Sequence, residues 1–313
     1  MKTIAIGLLV GALTGTVHGA DLFESNKLLP IKQGDGVASD ATIGGYAIYP
    51  GDSGWKFEQG KSEFVIGPSS IWMGNVVLVH RQGPQLVAWQ NISANLNRSL
   101  DTVGWRGGPC GAEHLVKKIG RSGSAETCLT IDPHLNQGSN RNVMYFGVGL
   151  THGAARGRYH QIYLALNAEV FGFRDTSLGD WTTASLESKP RRREFIDKLT
   201  AWAQKLQESA GKAFEKNEAG DFYKDTPSYL SLMTVPDDLK GGDYSLSFLG
   251  AVEDLKNKDG FKAIAYSKGP PGETRWANAW ALSSQDEANK RAVEVCERDR
   301  VSSRPPCQVY VAK

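Results

Sequence analysis

One apolar stripe constrains the fold of this chain more than any other feature. It lies within residues 190–214 and consists of Phe195, Leu199, Trp202, Leu206, Ala210, Ala213 and Phe214. Side chains at i, i+4, i+7 and i+11 share one face of an α-helix. Pro190 suits the first turn, and Ser188 just upstream is a candidate cap. Because packing supplies most of a helix's stability, we predict a long helix over 190–216 that closes a β-rich domain.

The chain upstream of this helix has the pattern of a β-rich domain. Residues 75–81 and 85–92 are rich in β-branched and aromatic side chains and are separated by Gln82-Gly83-Pro84. Residues 141–150 and 158–168 repeat that arrangement around a glycine-rich turn. Both pairs predict hairpins. Residues 95–127 show no such pattern and are predicted to be irregular.

Residues 1–20 have the pattern of a secretory signal peptide. Lys2 is followed by an apolar run over 4–13 and then by small residues. No later segment has the ~20 apolar residues that a membrane-spanning helix needs. We therefore expect a periplasmic or secreted chain without a transmembrane segment. The 36 basic residues are nearly balanced by 34 acidic ones, which argues against nucleic acid as a partner.

Four cysteines follow the signal region, at Cys110, Cys128, Cys296 and Cys307. In an exported chain they predict two disulfides, and four cysteines allow three pairings. We favour Cys110–Cys128 and Cys296–Cys307, two short loops that would each add about 2–3 kcal/mol. A structural zinc site is the alternative for the first pair, because with His114 and His134 these cysteines have the spacing C-x3-H-x13-C-x5-H. We predict neither a metal nor a cofactor.

The periodicity weakens after the helix and returns in a small C-terminal unit. Strands are predicted at 261–267 and 275–282, a helix after a capping box at Ser284 and Glu287, and a closing strand at 307–312. We therefore predict the α+β class: a signal peptide at 1–20, an extended arm at 21–42, a β-rich domain at 43–216, a linker at 217–242 and a ββαβ unit at 243–313.

Two resemblances support this organisation. Residues 262–267 (KAIAYS), 276–280 (WANAW), Ala288, Cys296 and Pro306-Cys307 resemble an uncharacterised module at the ends of bacterial envelope and secreted proteins. The chain departs from that module after Trp276, where glycines usually follow. Residues 77–81, 92–96 and 194–196 are similar to uncharacterised exported proteins of Gram-negative bacteria. The resemblances imply an exported chain with a disulfide-stapled C-terminal domain, and they imply no activity or catalytic residue.

No complete catalytic set emerges from the spacing of the reactive side chains. Gly51-Asp52-Ser53-Gly54 is similar to the serine motif of some hydrolases, but it is also ordinary turn chemistry after Pro50. No histidine of the mature chain precedes Ser53, and none follows His160. Asp132 and His134 flank Pro133, which fits a turn better than a catalytic pair.

Two tryptophans are candidates for stacking against a ligand. Trp276 and Trp280 have the same parity on one predicted strand and therefore share a face of it. Our leading hypothesis is a non-catalytic exported protein with a role in binding or envelope maintenance. The alternatives are an exported serine hydrolase that uses Ser53 and a protein that binds peptidoglycan or another glycan. The expected partner is accordingly a cell-wall glycan or an envelope protein.

Overall fold

Seven long strands form one antiparallel sheet. The computed structural model describes residues 16–17, 21–49, 54–65, 71–96, 110–111, 114–122, 125–137, 142–153, 158–174, 177–216 and 220–310. The strands are β1 (Trp55–Val65), β2 (Ile71–Gln82), β3 (Gln85–Asn95), β4 (Val116–Ser122), β5 (Ala125–Gln137), β6 (Asn142–Gly153) and β7 (Tyr159–Asn167). Their order across the sheet is β1-β2-β3-β7-β6-β5-β4, and two short strands, Gly36–Val37 and Thr16–Val17, extend the sheet beyond β1. Both predicted hairpins, β2–β3 and β6–β7, are confirmed.

The sequence pattern does not predict β4 and β5. The first is an edge strand whose side chains Lys117, Lys118 and Ile119 are all exposed, so it lacks an alternating apolar face. The second contains Pro133, which the pattern places in a turn. The pairing of β4 with β5 ends at Ile131. At Pro133, therefore, β4 no longer pairs with β5, and no hydrogen bond to β4 is lost because proline lacks an N–H. The predicted irregular segment at 95–127 was therefore wrong for its last part.

The hydrophobic core lies on one face of this sheet. Alternate residues of β6 and β7, among them Phe146, Leu150 and Leu164, are fully buried there. Helix α2 (Pro190–Lys216) covers β4, β5 and β6 with its apolar face, which includes Phe195 and Leu206. This helix keeps a polar face, and no helix among the described residues is long and apolar enough to cross a membrane.

The segment predicted as an extended arm packs into the same core. Leu22 and Ala41 are fully buried. Gly74 of β2 comes so close to the side chains of Phe23 and Ile43 that a Cβ at this glycine would lie 2.9 Å and 3.2 Å from them. The arm thus covers the half of the sheet that α2 leaves free, because the apolar side chains of β1–β3 also need a partner.

The start of α2 differs in detail from the prediction. The Ser188 hydroxyl does not cap this helix, since it donates to the carbonyl of Ser185 within helix α1 (Thr183–Glu187). Three consecutive arginines in the first turn oppose the helix dipole. The carboxylate of Asp180 lies 2.6 Å from both Lys189 Nζ and Arg192 Nη1 and balances that charge. The hydrogen bond from Lys189 is the main cause of the strongly lowered pKa of Asp180.

The C-terminal unit is a three-stranded sheet between two helices. Its elements are α3 (Leu246–Lys256), β8 (Phe261–Lys268), β9 (Thr274–Leu282), α4 (Gln285–Arg298) and β10 (Gln308–Tyr310), with the strand order β9-β8-β10. The predicted ββαβ pattern lacked α3. This helix is buried on nearly all sides and contains Gly250, so it has no apolar stripe that a periodicity search could detect. The mixed α+β class is confirmed.

The two parts of the chain are in direct contact. The side-chain oxygen of Gln82, in the β2–β3 turn, accepts a hydrogen bond of 2.6 Å from the N–H of Leu246 at the start of α3. Gly250 lies against the backbone of Glu169. Within the predicted linker at 217–242, Tyr223 and Tyr229 are buried in the core of the large sheet. Most of this segment therefore packs against the sheet, and the predicted domain limits stay a prediction.

Candidate ligand-binding face

The face of the large sheet that points away from α2 carries polar and aromatic side chains. We call it the open face. In one row across the strands, Val77 lies opposite Asn91, and Asn91 lies opposite Tyr163. In the next row, Asn75 lies opposite Ser93. All of these except Ser93 are half-buried, whereas their neighbours on the other face are fully buried. An antiparallel sheet with one solvated face has this alternation.

A hollow of about 560 Å³ lies on the open face over β1, β2 and β3. Its lining consists of Gln59, Gly60, Lys61, Glu63, Asn75, Val77 and Asn91. The Asn75 side chain is held in place, because its oxygen accepts from Ser93 Oγ at 2.6 Å and its nitrogen donates to Glu63 at 3.4 Å. Among the described residues, the amide of Asn91 makes no hydrogen bond. The hollow therefore offers one fixed amide and one amide free to bind a ligand.

A cluster of four rings adjoins this hollow. The ring cluster consists of Trp89, His134, Tyr145 and Tyr163. The rings of Trp89 and Tyr163 are 5.4 Å apart, and those of His134 and Tyr145 stack at 5.7 Å. Tyr163 lies over Gly147, where a Cβ would come within 2.1 Å of the tyrosine hydroxyl. The glycine therefore provides the space that the Tyr163 ring occupies.

The electrostatics of the ring cluster favour neutral hydrogen-bonding groups. Burial lowers the pKa of His134, and the carboxylate of Asp132 only partly counteracts this effect. Burial also raises the pKa of the Tyr163 hydroxyl, with a further contribution from Asp132. The hydroxyl of Tyr163 lies 3.3 Å from Nδ1 of His134. Asp132 itself contacts Nδ1 of His114 and accepts a hydrogen bond of 3.0 Å from the N–H of Leu115. Both pKa shifts favour the uncharged forms, so the cluster presents a neutral imidazole and a protonated phenol.

Both predicted cysteine pairs lie at disulfide distance. The Cα atoms of Cys110 and Cys128 are 5.5 Å apart, and those of Cys296 and Cys307 are 6.2 Å apart. The two thiols that the zinc alternative requires thus lie at disulfide distance from each other, which favours the disulfide. In the described part of the chain, no group of three or more histidine, cysteine, aspartate or glutamate side chains could hold a metal ion.

The two tryptophans predicted to stack on a ligand lie on the α3 side of β9. The guanidinium of Arg174 is 4.6 Å from the ring centre of Trp276, whose indole N–H donates to Ser247 at 3.3 Å. Trp280 is 39 % exposed, with the ammonium of Lys258 at 5.2 Å from its ring. A cation thus lies over one face of each ring. Ligand stacking at these two residues stays a prediction.

The histidines of the described residues do not converge on one site. Ser53 lies outside the described residues. His80 is buried, and its Nδ1 contacts the hydroxyl of Tyr229. His152 and His160 lie side by side on the core face, where β6 pairs with β7. The open-face residues escaped the sequence analysis. Their signal is the shared parity of 89, 91 and 93 in one strand and of 159, 161 and 163 in another, but the sequence does not show that these strands are neighbours.

The structure carries these assignments without help from relatives. In comparisons of the chain with protein-family models, with curated proteins and with solved structures, none of the three found a match.

Proposed function

We propose that this chain is an exported, non-catalytic binding protein whose open face binds a polysaccharide, with cell-wall glycan as the first candidate. The observation that carries the proposal is the position of the hollow beside the ring cluster. Asn91 lines the hollow, and its cross-strand neighbour Tyr163 belongs to the ring cluster. Side chains that face each other across a strand pair are about 5 Å apart, so one ligand reaches both.

The chemistry of the two features fits a sugar chain. A pyranose ring has flat C–H faces that pack against aromatic rings, and Trp89 and Tyr163 supply such rings at the surface. Its hydroxyl and acetamido groups need hydrogen-bond donors and acceptors, which Asn75, Asn91 and Glu63 supply in the hollow. Pockets that bind small ligands commonly combine ring surfaces with a few oriented polar groups.

The carboxylates of this face favour binding over hydrolysis. Glycoside hydrolysis ordinarily needs two carboxyl groups on either side of the scissile bond, one of them an acid of raised pKa. Glu63 lies 2.9 Å from Lys61, and Asp132 contacts His114. Each of these two carboxylates already has a cationic or imidazole partner, and Glu63 is the one carboxylate among the described residues that line the hollow. We therefore assign the face a binding role.

Sedimentation with purified peptidoglycan sacculi tests the proposal. We expect the mature chain to sediment with the sacculi and the variants Asn91→Ala and Trp89→Leu to remain largely in the supernatant. Gly147→Ala should act in the same way, because the added Cβ displaces Tyr163 from the ring cluster. The matched control is Asn142→Ala, an exposed asparagine of β6 that shares the parity of Phe146 and so lies on the opposite face of the sheet. A mature chain that stays soluble, or variants that sediment as the wild type does, would contradict the proposal.

A serine hydrolase is the second candidate, and one observation favours it. The Nε2 atom of His80 lies 3.4 Å from the Cβ position of Gly54, which directly follows Ser53 in the chain. A histidine near a serine can act as its general base. A fluorophosphonate probe should then label the wild type and spare Ser53→Ala and His80→Gln. Equal labelling of all three, or of none, leaves this candidate without support.

We also infer that residues 43–216 and 243–313 are separate folding units joined by 217–242. Separate hydrophobic clusters support this division. One cluster contains Phe146 and Phe214, and the other two, around Phe248 and around Ala263, flank the small sheet. Limited proteolysis with mass analysis tests the division. Cleavage should fall first at the exposed residues 240–242, at the end of the joining segment, and first cuts inside either unit would argue against the division.

A further inference from the structure

The outer edge of β9 has no partner strand within the described residues. In the small sheet, β8 is central, β10 pairs with one side of it and β9 with the other. Alternate residues along β9 therefore turn a backbone N–H and C=O away from the sheet. Such an edge is a template for another strand, and natural proteins usually cover it or interrupt it.

A cleft of about 730 Å³ runs along this edge. Its lining includes five consecutive residues of β9, Thr274 to Asn278. Ala277 faces α4, whereas Trp276 and Asn278 face α3, so the lining takes in both faces of the strand. A cavity over one face of the sheet would contact alternate residues only. The cleft therefore follows the edge of β9.

The opposite wall of the cleft belongs to the large sheet. It is formed by the β2–β3 turn, Gln82 to Gln85, and by Glu169 and Arg174 after β7. The contact of Gln82 with the start of α3 fixes this wall at one end. An extended segment in the cleft would thus lie between β9 and a wall held in place. Five residues of strand span about 17 Å, a length that four or five peptide residues match.

The charges that line the cleft favour an acidic ligand. Three arginines, Arg174, Arg275 and Arg304, face two glutamates, Glu169 and Glu273. Arg174 and Arg304 pair with these glutamates. Arg275 contacts Asp299, a carboxylate outside the lining that Arg298 contacts as well, so these arginines carry one positive charge in excess beside the free edge.

We propose that the outer edge of β9 binds an extended peptide segment with acidic side chains, which adds to the small sheet as a fourth strand. Backbone hydrogen bonds to β9 supply affinity, as in other cases of strand addition. Arg275 selects for a carboxylate on the incoming strand. This site is distinct from the open face and gives the chain a polypeptide partner in addition to a glycan.

Fluorescence anisotropy with labelled octapeptides tests the proposal on the full mature chain. Three peptides alternate valine with glutamate, glutamine or lysine, and a fourth is the glutamate peptide methylated at alternate backbone nitrogens. We expect the glutamate peptide to bind at least about ten-fold more tightly than the glutamine peptide, and the lysine peptide to bind least. The methylated peptide should lose at least about ten-fold, because it cannot complete the strand pairing. Equal binding of the methylated peptide indicates attraction by charge alone, and that result or no binding at all would overturn the proposal.

Variants of the chain distinguish the contribution of strand pairing at β9 from that of the Arg275 charge. Arg275→Gln should reduce the preference for glutamate over glutamine to about two-fold or less. In Ala277→Pro and Asn278→Pro the lost N–H points in opposite directions, and an edge strand tolerates only the proline whose N–H faces outward. Thermal unfolding identifies the variant that folds, and that variant should lose the glutamate peptide. Ile119→Pro and Lys118→Pro, the same pair of changes in the edge strand β4, are the matched control, and the one that folds should keep binding. A folded β9 proline variant with wild-type affinity would also overturn the proposal.

Discussion

Two buried histidines make the stability of the core dependent on pH. His152 and His160 are 1 % and 0 % exposed, and their rings stack with Phe214 and Tyr46. None of the four ring nitrogens makes a well-formed hydrogen bond within the described part of the chain. Burial lowers the pKa of His152 to about 4 and that of His160 to about 3. For His152, the backbone of Gln207 and the carboxylate of Glu215 counteract this effect only partly, so both rings are neutral in the folded chain at pH 6.

We expect the free energy of unfolding to fall steeply as the pH drops below 6.5. In the unfolded chain both histidines titrate near 6.5, so the unfolded state takes up protons that the folded state excludes. Each histidine then lowers the free energy of unfolding by up to about 1.4 kcal/mol for each pH unit. The stabilisation that depends on the neutral histidines is fully present above pH 6.5. It decreases as the pH falls from 6.5 to about 4 for His152 and to about 3 for His160.

Urea denaturation at about pH 7, 5.5 and 4.5 measures this dependence. His160→Phe keeps a ring in the stack with Tyr46 and removes one titrating group, so its unfolding free energy should change less with pH than that of the wild type. His114→Gln, a change on the open face, should leave the contribution of the buried pair intact. If the unfolding free energy of His160→Phe changes with pH as steeply as that of the wild type, the buried pair does not control the acid stability.

Individual residues of the candidate site could be predicted only in part. The alternation in 85–92 predicts that Trp89 and Asn91 share a face. It does not predict that Tyr163 lies beside Asn91, because β3 pairs with β7 across a sequence separation of about 70 residues. The cysteine pairs were predictable, since both loops are short and the chain offers only three pairings.

At the scale of single elements, the disulfide Cys296–Cys307 stabilises the end of the C-terminal unit. Cys296 is fully buried between α4 and the alanine-rich face of β8 and β9. It holds β10, which has only three residues, against the rest of the unit. Such a short strand gains little from its own pairing, so the covalent link to α4 supplies much of its attachment.

We expect the double variant Cys296→Ala/Cys307→Ala to lose about 2–3 kcal/mol of unfolding free energy, the amount that chain entropy gives for a loop of this length. Urea denaturation measures the loss, and limited proteolysis should place the new cleavage sites near β10. Intact mass is the control: reduction should add about 4 Da to the wild type and about 2 Da to the variant. Unchanged stability would mean that packing alone holds β10.

Elements with one buried face are the ones that the sequence predicts. Helix α2 has an apolar stripe and a polar face, and the strands of both predicted hairpins are rich in β-branched and aromatic side chains. Helix α3 lies between the small sheet and the residues after β7, so it is buried on almost every side and its periodicity disappears. Strand β4 is not predicted from the sequence for the opposite reason, because it lies at an edge and is exposed.

At the scale of the whole molecule, the attachment of the C-terminal unit depends on a close backbone contact. A Cβ on Gly250 would lie 2.1 Å from the carbonyl oxygen of Glu169 and 2.9 Å from that of Val170. These neighbours are backbone atoms, so a change of rotamer cannot relieve the clash. The ion pair between Arg191 and Glu253, at 3.6 Å, lies on the same contact surface and depends on the same approach of α3.

We therefore expect Gly250→Ala to weaken the contact between the C-terminal unit and the large sheet. Overpacking of this kind costs about 1–3 kcal/mol or more, and here the strain falls on the contact between α3 and the turn after β7. Thermal unfolding should begin at a lower temperature, and proteolysis between 217 and 242 should accelerate. The affinity of the β9 cleft for the glutamate peptide should fall as well, because one wall of the cleft belongs to the large sheet. Gly179→Ala is the matched control, since the nearest atom to its added Cβ is 3.8 Å away. Equal behaviour of the two variants would show that the close approach of α3 does not hold the molecule together.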